Sequence, residues 1–251
     1  VALETAHLIL FGILFAAFFV GTTLGFGTTI ITVTFAAQMM TIKEILPIIA
    51  PLNVTLSFYL AIRHRRHIQW SRLLRRIAPA VGLGVPVGLL LFNFQEAHWL
   101  QLAFGVFVTV IAAMQLRVAL TSETGEGAPL GRVPALGFLG LGGVIHGLFN
   151  TGGPLIVYVL GREIADKSEF RSTIAALFTV LTTVLIIDYT AIGLVTRHTL
   201  AVSAIAVIPV AAGMLVGEYA HARLESRTFK RALWTLLLGG GVILTARVAL
   251  T

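Results

Sequence analysis

Long, uncharged apolar runs dominate this chain and leave it few ways to fold. Ten can be delimited, at about 5–22, 28–40, 45–62, 73–92, 99–118, 134–149, 154–161, 170–187, 199–217 and 229–248. Several approach the roughly 20 residues that carry a helix through a hydrocarbon layer about 30 Å thick. Inside lipid every backbone N–H and C=O must be paired within the protein, which leaves helices or a closed barrel. A barrel needs short strands alternating polar and apolar residues, and these long uncharged segments do not read that way. The chain therefore reads as an all-α polytopic membrane protein. Its composition agrees, with 57% hydrophobic and 12% charged residues against roughly 25% charged in soluble domains. The absence of cysteine excludes thiolate chemistry, disulfides and most soft-metal sites. The first run follows Glu4 and His7 without a basic flank or a small-residue cleavage site, so a signal peptide is not expected. The start at Val1 rather than Met points to sequence upstream.

The polar stretch Thr121–Arg132 divides the runs five and five. Displacing the first half by 125 positions places Phe26-Gly27-Thr28-Thr29-Ile30 on Thr151-Gly152-Gly153-Pro154-Leu155. The same displacement puts Thr41–Glu44 on Asp166–Glu169, each a capping-box type of helix start. Both halves end in Arg-Val-Ala-Leu, at 117–120 and 247–250. These matches predict an internal repeat, 1–120 and 133–251, joined by a cytoplasmic linker at 121–132. Basic residues set the orientation. Arg63, Arg65, Arg66, Arg72, Arg75 and Arg76 flank one turn of the first half, whereas the matching turn of the second holds only Arg197. The second half is instead basic at Arg162, Lys167 and Arg171 and at Arg223, Arg227, Lys230 and Arg231. With the 63–76 turn cytoplasmic, all Lys and Arg but Lys43, Arg197 and Arg247 face inward. The halves are thus expected to have inverted topology, with both termini outside.

Within this frame the stretch His146 to Pro154 (HGLFNTGGP) is singular. Gly-Gly-Pro cannot continue a helix, since glycine costs about 1 and proline about 3 kcal/mol in a helix interior. Proline does suit the first turn of a new helix. A helix is expected to stop near Phe149, and another to begin at Pro154. The run 154–161 rises only about 12 Å and 28–40 about 20 Å, too little for a crossing. Re-entrant hairpins with turns at 21–29 and 146–154 fit better than pairs of crossings. The expected fold class is then two inverted-topology repeats of about five hydrophobic segments each, with paired broken helical hairpins meeting near mid-membrane. Irregular backbone at that depth is tolerated only where protein buries it or it lines a cavity. Paired breaks in inverted halves point to a transporter binding site. The second arm of each hairpin starts there with free N–H groups, which favour an anion, while the carbonyls ending the first arms could hold a cation.

The two-repeat pattern, the glycine-rich break after the first helix of each half and the stretch 150–173 (NTGGPLIVYVLGREIADKSEFRST) resemble the sulfite exporter TauE/SafE family of bacterial membrane permeases. The resemblance covers essentially the whole chain and implies a multi-pass protein of the bacterial cytoplasmic (inner) membrane. It further implies transport, usually outward, of small sulfur-containing anions such as sulfite, sulfoacetate and related organosulfonates. The first-half break reads Gly-Phe-Gly-Thr-Thr at 25–29, less glycine-rich than the family form.

Candidate substrate contacts in the first half are Thr22, Thr23, Gly25, Gly27, Thr28 and Thr29. The threonines are equally able to satisfy their hydroxyls on helix backbone. In the second half they are Asn150, Thr151, Gly152, Gly153 and Pro154, a polar linker that needs a reason to sit in lipid. Asn53 and Ser57 share a face of the third segment, and Thr182 is the repeat counterpart of Ser57; they line a cavity or bridge helices. His146 is the titratable group beside the break, a proton-coupling candidate or a packed neutral imidazole. Arg171 is a gate candidate or a snorkelling, topology-setting arginine. Asp188 ends its segment on the outer side and is expected to be exposed. The arginines at 63–76, with His64, His67 and Trp70, suit an anionic lipid surface rather than nucleic acid. No Gly-x-x-x-x-Gly-Lys, His-Glu-x-x-His or Gly-x-Ser-x-Gly occurs, so neither ATP hydrolysis nor an intramembrane enzyme is indicated, and no cofactor or metal is expected. The expectation is a secondary transporter of a small oxyanion working by alternating access. The alternatives are a permease or channel for another small anion such as a carboxylate, or an intramembrane enzyme.

Overall fold

The computed structural model of the chain describes residues 5–24, 26–121, 130–164, 166–221 and 226–250. Among them lie ten helices, one for each apolar run: α1 (Thr5–Leu24), α2 (Thr28–Ala36), α3 (Ile42–Arg63), α4 (Trp70–Phe94), α5 (Ala97–Thr121), α6 (Arg132–Phe149), α7 (Gly153–Glu163), α8 (Lys167–Ala191), α9 (Arg197–His221) and α10 (Ser226–Ala249). No strand occurs among the described residues. Eight helices are long and apolar enough to cross a membrane. The other two, α2 with 9 residues and α7 with 11, rise only about 14 and 17 Å. Each of the pairs α1–α2 and α6–α7 is therefore unequal, a span-length helix followed by a short one. Most of the linker expected at 121–132 lies outside the described residues.

Local chemistry sets the helix starts. Glu44 accepts from both the backbone N–H (2.8 Å) and the hydroxyl (2.9 Å) of Thr41. Asp166 caps α8 by accepting from the Glu169 N–H at 2.8 Å. These are the two expected capping positions, and the first starts α3 three residues before the apolar run. Pro47 and Pro51 lie inside α3; each lacks the N–H that would bond the carbonyl one turn earlier, a loss that membrane helices tolerate where neighbouring groups pair that carbonyl.

The chain divides into two compact units, and each draws on both halves of the sequence. The first comprises Val1–Ile45, Gln95–Gly125 and Ala204–Thr251, the second Leu46–Phe94 and Glu126–Ser203. In the first unit α5 packs along α10 with reciprocal contacts: a Cβ on Gly105 would meet Thr245, and one on Gly241 would meet Thr109. In the same unit Gly213 and Gly217 of α9 rest on the α1 backbone at Phe15 and Phe19. In the second unit Gly84 and Gly88 of α4 rest on α6 at Gly140 and Val144. Phe15 and Phe19 correspond to Gly140 and Val144 at the same displacement of 125 that the sequence repeat uses. Small residues at helix crossings are what lets backbones approach in lipid, where the hydrophobic effect does not drive helices together.

The outward faces are apolar. Leu83 is 79% exposed and Phe94 82% in the second unit, and Ile208 and Leu215 are each 75% exposed in the first. Such surfaces would drive aggregation in water and match lipid tails instead. The glycine seam gives a direct check. Gly84→Val and Gly143→Val would force side chains into opposing backbone and should each destabilise by about 1–3 kcal/mol, read as a lower Tm in detergent. Gly82→Ala, with open space around its Cα, should leave Tm unchanged or slightly raised.

Candidate substrate site at the helix break

The α6–α7 break belongs wholly to the second unit. α6 ends at Phe149, and Asn150 takes the left-handed conformation (φ 53°, ψ 32°) with its N–H on the His146 carbonyl at 2.7 Å. Asparagine is among the few side chains that adopt this conformation readily. Two residues later Gly152 caps α7, Gly153 starts it, and the first helical bond runs from Ile156 N to Gly152 O at 3.2 Å. Pro154 lies in the first turn, where its missing N–H costs nothing. The break is packed close against its own helix: a Cβ on Gly152 would overlap the Gly142 carbonyl.

Three side chains converge on it. The Thr182 hydroxyl of α8 donates to Asn150 Oδ1 at 3.1 Å in a buried contact. His146 Nδ1 accepts from the Gly152 N–H at 3.4 Å, and its ring stacks on Phe178 with centroids 5.3 Å apart. These bonds fix what remains. With Nδ1 an acceptor, the neutral imidazole carries its proton on Nε2. With Oδ1 occupied, Asn150 presents its amide Nδ2. Both Nε2 and Nδ2 are buried without a hydrogen-bond partner among the described residues. Two unmatched donors thus sit beside the start of α7, and the stretch 146–154 contains no acidic residue. A buried donor left unpaired costs about 1–3 kcal/mol, so this cluster suits a group rich in acceptor oxygens. Thr182 lies about 22 Å along α8 from its first residue and about 14 Å from its last, which sets the break against the interior of a span-length helix.

The first-half break belongs to the other unit. Gly27 caps α2 with φ 101°, a conformation that favours glycine, and Ile31 N bonds to its carbonyl at 3.1 Å. The Thr28 methyl packs against Gly21, where a Cβ would collide with it. Thr22, Thr23 and Thr29 are buried. Thr23 donates to Phe19 O at 2.7 Å, with Gly217 O at 3.3 Å, so backbone carbonyls take up its proton. Gly25 lies outside the described residues.

The structure thus gathers His146, Asn150, Gly152 and Thr182 into one cluster, with Thr151, Gly153 and Pro154 buried beside them. Asn53 is buried and Ser57 half-buried on α3. Arg171 is only 9% exposed. Asp188 departs from the expected exposure. It is half-buried and accepts from Asn93 Nδ2 at 3.3 Å, because α4 brings an amide alongside the end of α8. Phe178 and the seam of Gly84, Gly88, Gly143 and Gly147 escaped sequence reasoning, although the Gly-x-x-x-Gly spacing at 84–88 and 143–147 was a usable signal. Thr182→Val should leave Asn150 Oδ1 buried and unpaired, lowering stability by about 1–3 kcal/mol in thermal unfolding. Thr183→Val, on the exposed side of α8, should change it by less than about 0.5 kcal/mol.

Residues 9–244 match the family described as sulfite exporter TauE/SafE. The chain is similar to the probable inner membrane transporter protein TsaS of Comamonas testosteroni, with 26% identity over 182 residues covering 72% of this chain and 74% of the relative. No solved structure matches it. By its match over nearly the whole length, the chain belongs to the TauE/SafE family of membrane transporters.

Proposed function

We propose that this protein is a secondary transporter that carries a small sulfur-containing oxyanion, such as sulfite, sulfoacetate or another organosulfonate, out across the bacterial cytoplasmic (inner) membrane. The observation that carries the reading is the pair of buried, unmatched donors, His146 Nε2 and Asn150 Nδ2, beside the α7 N-terminus. A sulfonate or sulfite offers three oxygens to such donors, and the positive end of a helix adds to the attraction. A cation would meet two N–H donors and no carboxylate in the stretch 146–154. The family description supports a sulfur oxyanion and outward movement, and the relative's name supports an inner-membrane location. In this reading Gly152, Gly153 and Pro154 keep the backbone close and start α7, and Thr182 orients the Asn150 amide. His146 is then a neutral donor rather than a proton carrier, because a second proton on Nδ1 would break its bond with Gly152.

The same reading treats 1–120 and 133–251 as inverted repeats whose alternation gives access from either side. The glycine contacts of α9 at Phe15 and Phe19 of α1 and of α4 at Gly140 and Val144 of α6, backbone positions 125 apart, support it.

Counterflow in proteoliposomes tests the assignment. Radiolabelled sulfite or sulfoacetate should exchange saturably. Asn150→Gly keeps the left-handed backbone but removes the donor, and should weaken apparent affinity about tenfold or more, the scale of a hydrogen bond to a charged group. Thr28→Ala reports on the first break in the same assay. Absence of exchange for every sulfur anion, with Tm unchanged, would refute the substrate class and direct the search to carboxylates.

A further inference from the structure

A cleft of about 470 Å³ opens between α4 and α6 in the second unit, walled by arginines and by exposed aliphatic side chains. Its charged part is Arg75, Arg76 and Arg132. The register between the helices explains why they meet. Gly84 lies against Gly140, and two turns earlier on each helix stand Arg76 and Arg132. Arg75 and Arg76 also fall in a π-helical turn at Leu73–Ile77, a local irregularity often found at functional sites.

Among the described residues the cationic charge is only partly paired. Arg76 pairs with Glu163 at 3.1 Å, yet its Nε is buried with no hydrogen-bond partner. Arg75 and Arg132 make no hydrogen bond or ion pair among the described residues. Further along both helices the cleft becomes apolar through Pro79, Leu83 and Leu136. Leu83 is 79% and Leu136 39% exposed.

We propose that this cleft binds an anionic phospholipid, its phosphate held by Arg75, Arg76 and Arg132 and an acyl chain lying along Pro79, Leu83 and Leu136. Arginine forks match phosphate oxygens in pairs, and basic pockets between membrane helices on the cytoplasmic side suit anionic headgroups. A free inorganic anion would use the arginines but gain nothing from the exposed leucines. A zwitterionic lipid would use the leucines but bring no net charge to the arginines. Only an anionic lipid uses both ends of the cleft.

The test is thermal unfolding and native mass spectrometry of the full chain in detergent, titrated with dioleoyl-phosphatidylglycerol, dioleoyl-phosphatidylcholine or inorganic phosphate. Phosphatidylglycerol should raise Tm and persist as a bound adduct, while phosphatidylcholine and phosphate at equal concentration should do neither. The Arg75→Gln/Arg132→Gln variant should weaken phosphatidylglycerol binding about 30-fold, the scale of two basic groups at an anionic headgroup. Its lipid-free Tm should not change, because neither arginine has a protein partner to lose among the described residues. Leu83→Gln keeps every charge and should still weaken the lipid severalfold. Equal effects of the two lipids, a phosphate effect as large as that of phosphatidylglycerol, or undiminished lipid binding by the double arginine variant would overturn the proposal.

Discussion

A helix can be interrupted within a membrane only if something other than water pairs the groups it releases. That constraint organises the second unit. At Phe149 the backbone turns left-handed through Asn150, returning its N–H to the His146 carbonyl. The imidazole of the same histidine accepts from the Gly152 N–H, and the Thr182 hydroxyl donates to the side-chain amide oxygen of Asn150. Each satisfied group leaves its neighbour oriented, and what is left over is a pair of donors. The break is thus held rigidly while keeping hydrogen-bonding capacity of one kind. That combination of fixed scaffold and directed donors is what recognition of a small anion requires.

The surroundings of the break follow from close helix approach. Glycines of α4 and α6 interlock, and those of α9 seat on α1, so backbones pack without intervening side chains. Such contacts are close, because an added Cβ on Gly84, Gly88, Gly143 or Gly147 would overlap a backbone carbonyl. Neighbouring helices stay in register while their outward faces, rich in exposed Leu, Ile and Val, meet lipid.

Much of the architecture was legible from the residues. Ten uninterrupted apolar runs became ten helices, because in lipid a run of that length has no alternative that pairs its backbone. The two caps at Thr41 and Asp166 were legible because capping is local chemistry. So was the break, since Gly-Gly-Pro excludes a continuous helix whatever surrounds it. The rest depended on neighbours distant in sequence. That Thr182 would reach Asn150 needed the placement of α8. The partial burial of Asp188 beside Asn93 of α4 and the seclusion of Arg171 likewise depend on packing. The threonines of the first break read alike in sequence, yet Thr23 is committed to backbone carbonyls while the Thr28 methyl fills the space over Gly21.

In the proposed function substrate sits at the α6–α7 break. The chain has no cysteine, so a single one introduced as Thr151→Cys reports on that position alone. The decisive measurement is its rate of modification by a water-soluble maleimide in proteoliposomes, with and without sulfoacetate at constant ionic strength. Substrate at the break should make sulfoacetate slow modification in a saturable manner, whereas chloride at equal concentration should not. A modification rate indifferent to sulfoacetate, in protein that still exchanges it, would place the substrate elsewhere.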